Sequence, residues 1–266
     1  MESVVEDNSG GVLKCAKGHS HYKVPWTIYV LDPEQSSQTN TYRDALFPLD
    51  VFDTVEEVRD LYSLQPFAKP NGPPSWSLVV PQGTIAVFQG GKFGYPAVKP
   101  DWEDPATLNG GEFRFLFEKS NGLEVIDSIF RNLVSWMAGS FDYGDIRILG
   151  LFIKNVSKPK KPSKELQCRV WVSASWNPNT FKGILWKIGK DMAQKIADAG
   201  GRGRILYNYL SDMQNKAEKI ETVEEPRFQL RIDVPFIDPK TQANSWLPAG
   251  NESHGSNSPR DLITSR

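Results

Sequence analysis

The sequence predicts a mixed α+β domain in which three to four helices pack on one face of a single, mainly antiparallel sheet. Short runs of aromatic and β-branched residues, which are typical of strands, alternate along the chain with longer segments whose apolar residues recur at helical spacing. Strands interspersed with amphipathic helices favour this layered arrangement, which leaves the second face of the sheet free.

Seven runs predict strands, because each is rich in β-branched or aromatic residues and is bounded by turn-forming residues. They are residues 26–31, 76–80, 84–88, 113–117, 146–153, 167–173 and 228–234. We expect the run at 113–117 to lie in the centre of the sheet.

Four segments predict helices. The first, over about 55–64, begins where Thr54 and Glu57 have the spacing of a capping box, in which each side chain accepts a hydrogen bond from the backbone N–H of the other residue. Apolar residues three and four positions apart predict further helices over 123–139 and 181–196, and a fourth over 206–220.

Length and composition indicate an ordinary soluble protein. The 266 residues fit one domain, over 21–239, with flexible tails at 1–20 and 240–266 that are rich in small and polar residues. A net charge of −1 provides no global basic field for nucleic acid. Two cysteines, no apolar run that could span a bilayer and no signal peptide predict a cytoplasmic protein.

The sequence does not predict an enzyme. The three histidines, His19, His21 and His254, fall in the predicted tails, so none is placed as a general base or as a member of a catalytic triad. No nucleophile elbow, paired-carboxylate motif or metal-ligand cluster stands out, and we expect no cofactor.

The loop around Trp102 predicts a ligand site. Trp102 and Glu103 lie in a proline-bounded loop, and Tyr42 and Trp171 each begin or end a loop on what we expect to be the same sheet face. Two aromatic rings can sandwich a flat base, and a cationic base adds a cation–π attraction. Glu103 could accept both N–H donors on the Watson–Crick edge of guanine, which adenine does not offer.

Structural interpretations stay open at this point. Trp102 could anchor its loop on the sheet, and the loop at 158–164, which has four lysines, could be solvated instead of meeting phosphates. Most of the eight tryptophans are predicted to be structural, among them Trp26, Trp136 and Trp186.

The order and spacing of several short motifs resemble the eukaryotic translation initiation factor 4E family, whose members bind the mRNA cap. The motifs are Trp26-x-x-Tyr29, Thr41-Tyr42, Phe52-Asp53-Thr54-Val55-Glu56, Trp102-Glu103-Asp104-Pro105 with Gly110-Gly111 behind it, Gly139-Ser140-Phe141 and Val170-Trp171. The resemblance covers about residues 20–199 and a last strand near 228–234. It implies a curved sheet with helices on its convex face and a cap slot on its concave face.

The resemblance also implies roles for individual residues. Tyr42 and Trp102 would sandwich 7-methylguanine, Glu103 would bind its N1 and N2 hydrogens, and Trp171 would contact the N7-methyl group. Basic residues before and within the strand of Trp171 would meet the phosphates, for which the candidates are Lys158, Lys160, Lys161 and Arg169.

Three departures from the family pattern matter. Tyr42 stands where a tryptophan is usual, which preserves stacking but puts affinity in doubt. On the helical face, where the family binds the 4G scaffold or competing repressors, Val55 is kept but Arg59 and Arg131 replace apolar residues. These changes predict a partner with an atypical motif. The segment at about 200–225 is expected to be an insertion.

Three functions of different classes remain. The first is a cap-binding protein in translation initiation or its regulation. The second is an interaction adaptor that represses translation and has weak or lost cap affinity. The third is a nucleotide-processing enzyme, which the lack of a placed base, nucleophile or metal set disfavours.

Overall fold

Ten strands pair into one antiparallel sheet in the part of the chain that the structure describes. This computed structural model describes residues 4–5, 12–15, 20–31, 46–62, 84–100, 104–107, 110–118, 123–155, 165–173, 178–210 and 230–236. The strands are β1 (Val4–Val5), β2 (Val12–Cys15), β3 (Ser20–Leu31), β4 (Leu46–Thr54), β5 (Thr84–Gln89), β6 (Gly111–Glu118), β7 (Ile148–Asn155), β8 (Glu165–Val172), β9 (Arg204–Tyr209) and β10 (Leu230–Asp233).

Their order across the sheet is β1-β2-β3-β5-β7-β8-β6-β9-β10, and β4 pairs with β3 outside this path. Strand β4 contains Pro48, which lacks a backbone N–H and is therefore tolerated at such an edge position. Strand β6 pairs with β8 on one side and with β9 on the other, which places the predicted central strand inside the sheet.

Three helices lie among the described residues: α1 (Val55–Tyr62), α2 (Leu123–Gly139) and α3 (Pro178–Asp198). The predicted capping box starts α1, since Glu57 N donates to Thr54 Oγ1 over 3.1 Å and Thr54 N donates to Glu57 Oε2 over 3.2 Å. The predicted α+β class, with one antiparallel sheet and three helices, is confirmed.

Alternation along the strands divides the sheet into two faces. On one face, the buried rings of Phe113, Phe115 and Phe117 join a large core with apolar residues of α2 and α3. On the opposite face, which we call the open face, a smaller buried cluster consists of Tyr29, Ala86, Phe88, Phe152, Trp171 and Leu210. None of the three described helices contributes to this second cluster.

The predicted fourth helix is wrong at its start. Residues 204–209 form strand β9, which pairs with β6 and β10. Leu206 and Leu210 have helical spacing, but the buried residues Ile205 and Tyr207 alternate with more exposed ones, as in a strand. Residues 204–209 are therefore part of the sheet. Residues 211–229 lie outside the described part.

Two other expectations are corrected near the chain's start and in α3. The predicted N-terminal tail contributes β1 and β2, and β2 pairs with β3, which contains His21. His21 pairs with Leu13 and Thr54, so this histidine belongs to the sheet, and its Nδ1 lies 3.3 Å from Asp53 Oδ2. Trp26 and Trp136 are buried as predicted, but Trp186 is 43% exposed. The predicted strand at 76–80 and the tail at 240–266 lie outside the described residues.

None of the helices that the structure describes is both long enough and apolar enough to cross a bilayer.

Candidate ligand-binding face of the sheet

Trp171 lies at the centre of the aromatic cluster on the open face. Its ring meets Phe88 edge to face, with centroids 5.6 Å apart, and meets Phe152 in the same way at 5.5 Å. Only 4% of Trp171 is exposed. The Trp171 ring is therefore packed into this face and offers little free surface.

Gly150 allows this packing. A Cβ atom built on Gly150 would lie 2.4 Å from the ring of Phe88, so the ring rests directly on the glycine backbone. Gly150 pairs with Phe88 on β5 and with Trp171 on β8, which lets the two aromatic side chains meet above it. A glycine inside a strand often marks such a close approach.

The loop that carries the predicted Trp102–Glu103 pair is closed by Asp104. Its Oδ2 accepts a hydrogen bond from Lys99 N over 3.0 Å, and its Oδ1 accepts one from Ala106 N over 2.9 Å. The loop is tied to the sheet by Val98, whose N donates to Gln89 O over 2.8 Å and whose side chain packs against the aromatic cluster. Lys99 and Asp104 are therefore held together next to Val98, which packs on the open face.

Tyr29 belongs to the same aromatic cluster as Trp171. Burial raises the pKa of Tyr29, the hydrogen bond to Thr27 opposes that shift, and the negative charge of Asp104 raises the pKa further. Val98 packs against this cluster, which places Val98 on the same face as Trp171.

A buried ion pair lies next to Trp171 on this face. Arg169 Nη1 is 3.2 Å from Glu112 Oε2, and Glu112 has no exposed surface. Gln167 Oε1 accepts two further hydrogen bonds from Arg169, over 2.7 and 3.0 Å. Burial raises the pKa of Glu112, although the positive charges of Arg169 and Arg114 oppose that shift.

Lys154 is a further cation on the open face. It pairs with Gln167 across β7 and β8, and its side chain is half-buried. Burial and the neighbouring charge of Arg169 both lower the pKa of Lys154. The face therefore combines an aromatic floor with cations, which is the chemistry that a nucleotide's base and phosphates require.

The structure brings together two of the predicted site residues. Trp171 and Arg169 both lie on the open face, and Arg169 Cζ is 5.4 Å from the centroid of Phe152, a neighbour of Trp171. The other predicted site residues, Tyr42, Trp102, Glu103, Lys158, Lys160 and Lys161, lie outside the described residues.

The predicted partner residues lie on the helices. Val55 is 40% exposed at the start of α1, and the Arg59 side chain is 77% exposed. Arg131 on α2 is half-buried and forms an ion pair with Asp127, with 3.2 Å between Nη2 and Oδ2. Arg59 is thus exposed on α1, whereas the charge of Arg131 is paired with Asp127 within α2.

Sequence reasoning missed Glu112, Lys154 and the role of Asp104. In the run Glu112-Phe113-Arg114-Phe115, strand alternation alone would place the two charged residues opposite the phenylalanines. The pairing of Glu112 with Arg169 depends on the register between β6 and β8, for which the sequence holds no comparable signal.

Comparison with known proteins agrees with this geometry. The family model for eukaryotic initiation factor 4E matches residues 22–224, which is more than half of the chain. Eukaryotic translation initiation factor 4E-1 of rice, Oryza sativa subsp. japonica, is 29% identical over 145 residues, covering 53% of this chain and 56% of the rice protein. The chain spans about half the length of the curated relatives it matches.

Solved structures agree on the fold. One of them is C. elegans eIF4E-3, solved with the 4E-binding protein Mextli and a cap analogue. It matches this chain with a TM-score of 0.54 and 20% identity, covering 80% of this chain and 99% of that one. Ascaris suum eIF4E-3, solved with an m7G cap, has a TM-score of 0.52 and 19% identity, covering 79% and 97%. Both share the antiparallel sheet with helices on one face. The matched family is one of initiation factors and not of enzymes, as the sequence predicts.

Proposed function

This chain belongs to the eukaryotic initiation factor 4E family, and from that membership we propose that it binds the 7-methylguanosine cap of mRNA. It would act in translation initiation or its regulation, in the cytoplasm. The observation that supports the proposal is the hydrogen bond between Lys99 and Asp104, which flank residues 101–103, next to Val98 on the aromatic cluster of the open face.

Each site residue has a distinct role in this proposal. Tyr42 and Trp102 sandwich the methylated base, whose positive charge strengthens the stacking. Glu103 accepts the N1 and N2 hydrogens of guanine. Trp171 lies near the N7-methyl group, and the phosphates meet Arg169 and the lysine-rich segment between β7 and β8, with Lys158, Lys160 and Lys161.

Retention on immobilised m7GTP tests the proposal. We expect the full chain to be retained and to be eluted by free m7GTP but not by the same concentration of GTP, because only the methylated base is cationic. Trp102→Ala should abolish retention, whereas Trp186→Ala should not, since Trp186 is an exposed tryptophan on α3. Equal elution by GTP would contradict recognition of the methyl group.

One observation favours a second function. Trp171 is 4% exposed and packed between Phe88 and Phe152, so it offers little surface to a methyl group. A chain with weak or lost cap affinity would instead act as an interaction adaptor that represses translation. A folded chain that m7GTP resin does not retain would support this alternative.

The helical face is proposed to bind a protein partner. The partner would be an initiation factor 4G-like scaffold or a 4E-binding repressor, in keeping with the 4E-binding protein seen in the C. elegans complex. Because Arg59 and Arg131 place positive charge on α1 and α2, we propose an atypical motif with acidic residues at those contacts.

A peptide with the Tyr-x4-Leu-hydrophobic motif tests this proposal. We expect weak binding to the natural chain and binding at least about tenfold tighter after Arg59→Trp combined with Arg131→Leu, because buried apolar side chains contribute roughly 1.5–3 kcal/mol each. Isothermal titration measures the difference, and Lys187→Met on α3 is a control for the lost charge. Tight binding that Arg59→Ala leaves unchanged would contradict the atypical motif.

A further inference from the structure

The solvent side of α3 carries a tryptophan between two lysines. Lys182, Trp186 and Lys190 lie four residues apart, so they form one line along the helix, which we call the α3 stripe. Both lysines are exposed, and so is 43% of Trp186. At 1.5 Å per residue, the stripe is about 12 Å long. The buried side of α3 joins the large core, so the stripe is separate from the aromatic cluster of the open face.

The positive charge of this part of α3 is not neutralised along the helix. Residues 181–190 include lysines but no acidic residue, and Asp191, which follows them, accepts a hydrogen bond from the Tyr143 hydroxyl over 2.8 Å. Among the described residues, Lys190 forms no ion pair; its Nζ lies 5.2 Å from the centroid of the Trp186 ring. A cation–π contact of this kind holds an ammonium group in place and leaves its charge available to an anion.

Gly183 leaves space beside the Trp186 ring. Side chains in a helix lean toward the preceding turn, so the Trp186 ring lies over the turn that contains Gly183. A Cβ atom built on Gly183 would meet no other atom within 4 Å, whereas one built on Gly189 would clash with Ile232 Cδ1. Packing therefore explains Gly189 but not Gly183, although glycine inside a helix is less stable than alanine. The absent side chain leaves a flat ring surface with room for a second ring.

We propose that the α3 stripe binds single-stranded RNA, with one base stacked on Trp186 and the neighbouring phosphates on Lys182 and Lys190. Aromatic rings flanked by cations bind single strands in this way, whereas an acidic protein segment would match the lysines but would not need a flat open ring. The inference rests on the proposed function for the source of the RNA, which is the chain that follows the cap. Six residues join the end of β8, at Val172, to the start of α3 and span at most about 22 Å, so the stripe begins near the strand of Trp171.

Fluorescence anisotropy of a labelled, uncapped RNA of about 12 nucleotides tests the stacking contact. The full chain is titrated in the presence of saturating m7GTP, so that the cap slot is occupied. We expect Trp186→Ala to weaken RNA binding about tenfold or more, as for the loss of one stacked base, and Trp186→Phe to keep most of the affinity because it keeps a flat ring. Since m7GTP has no RNA chain, its own binding should be the same in both variants.

Gly183→Leu separates RNA binding from folding. Leucine is a better helix former than glycine, and the space around Gly183 is open, so we expect the melting temperature of this variant to rise. The new side chain fills the space beside Trp186, so we expect RNA binding to weaken several-fold. A loss of affinity in a protein that is more stable cannot come from unfolding.

The salt dependence of RNA binding tests the phosphate contacts. For a single strand, each neutralised phosphate contributes about 0.7 to the slope of log affinity against log salt concentration, so Lys190→Met should reduce the slope by about that amount. Lys195→Met is the matched control, because Lys195 lies on the same helix but outside the stripe, with its Nζ 3.9 Å from Asp198 Oδ2. It removes the same charge and should leave the slope unchanged.

The outcomes separate this inference from the proposed function. Unchanged RNA binding in Trp186→Ala or in Gly183→Leu would overturn the inference. So would a Trp186→Leu variant that binds RNA as well as Trp186→Phe does, together with displacement of the RNA by a glutamate-rich peptide, which would assign the stripe to an acidic protein segment. If the natural chain binds uncapped RNA through Trp186 but does not prefer m7GTP to GTP, the cap proposal fails and the RNA stripe stands. A chain that prefers m7GTP but does not bind uncapped RNA would overturn the stripe alone.

Discussion

Replacing Glu103 by glutamine is expected to weaken m7GTP binding about 100-fold without unfolding the protein. Glutamine keeps the size of the side chain, but its amide presents one acceptor and one N–H₂ group, so only one of the two guanine donors keeps a partner. The lost charge-assisted hydrogen bond, together with the unpaired donor left behind, accounts for roughly 3 kcal/mol. Fluorescence titration of the natural chain and of the Glu103→Gln variant with m7GTP measures the ratio of the two dissociation constants.

The inosine analogue m7ITP makes this test specific, because it lacks the 2-amino group of guanine. We expect the natural chain to prefer m7GTP to m7ITP and the Glu103→Gln variant to have lost most of that preference. A double-mutant cycle of protein and ligand then isolates the contact between Glu103 and the amino group. A folded variant that binds m7GTP as tightly as the natural chain would exclude this role for Glu103.

Trp171→Ala is expected to lower the free energy of unfolding by about 3–5 kcal/mol, the range for truncating a large buried aromatic side chain. The reason is its packing: Trp171 is 4% exposed and has edge-to-face contacts with Phe88 and Phe152. Urea unfolding followed by circular dichroism gives the difference. A large fraction of the stability of a typical domain would be lost.

Trp186→Ala is the matched control for that measurement. Trp186 is 43% exposed on α3 and has Lys190 Nζ 5.2 Å from its ring centroid, so its removal should change the free energy of unfolding by about 1 kcal/mol or less. Similar losses for both variants would show that Trp171 is not a packed floor of the open face. The stability measurement would then give no information on the proposed contact between Trp171 and the N7-methyl group.

Trp136 and Trp186 show what sequence reasoning resolves and what it does not. Trp136 is buried on α2, as the sequence predicts from its place on a face of that helix. Trp186 was given the same interpretation and is exposed. On α3 it shares its solvent side with Lys182 and Lys190, at steps of four residues, and helical spacing alone could have placed it there.

Strand β9 was predicted least well. A run with leucines four apart resembles one face of a helix, but residues 204–209 complete the sheet beside β6. Pairing with a strand about ninety positions earlier in the chain decides that outcome, and local spacing contains no information on such a partner. The same reason explains β1 and β2: β1 pairs with β2 and β2 with β3, which is not expected from a segment rich in glycine and charge.

The sequence by itself determined the fold class, the three helices, the capping box at Thr54 and Glu57, and the family, because each rests on local periodicity or on the order of short motifs. Only the tertiary structure decided which side chains meet on the open face. The Glu112–Arg169 pair, the packing of Trp171 over Gly150 and the closure of the loop by Asp104 depend on strand register and backbone contacts. Register is set by the whole sheet, so no single stretch of sequence specifies these contacts.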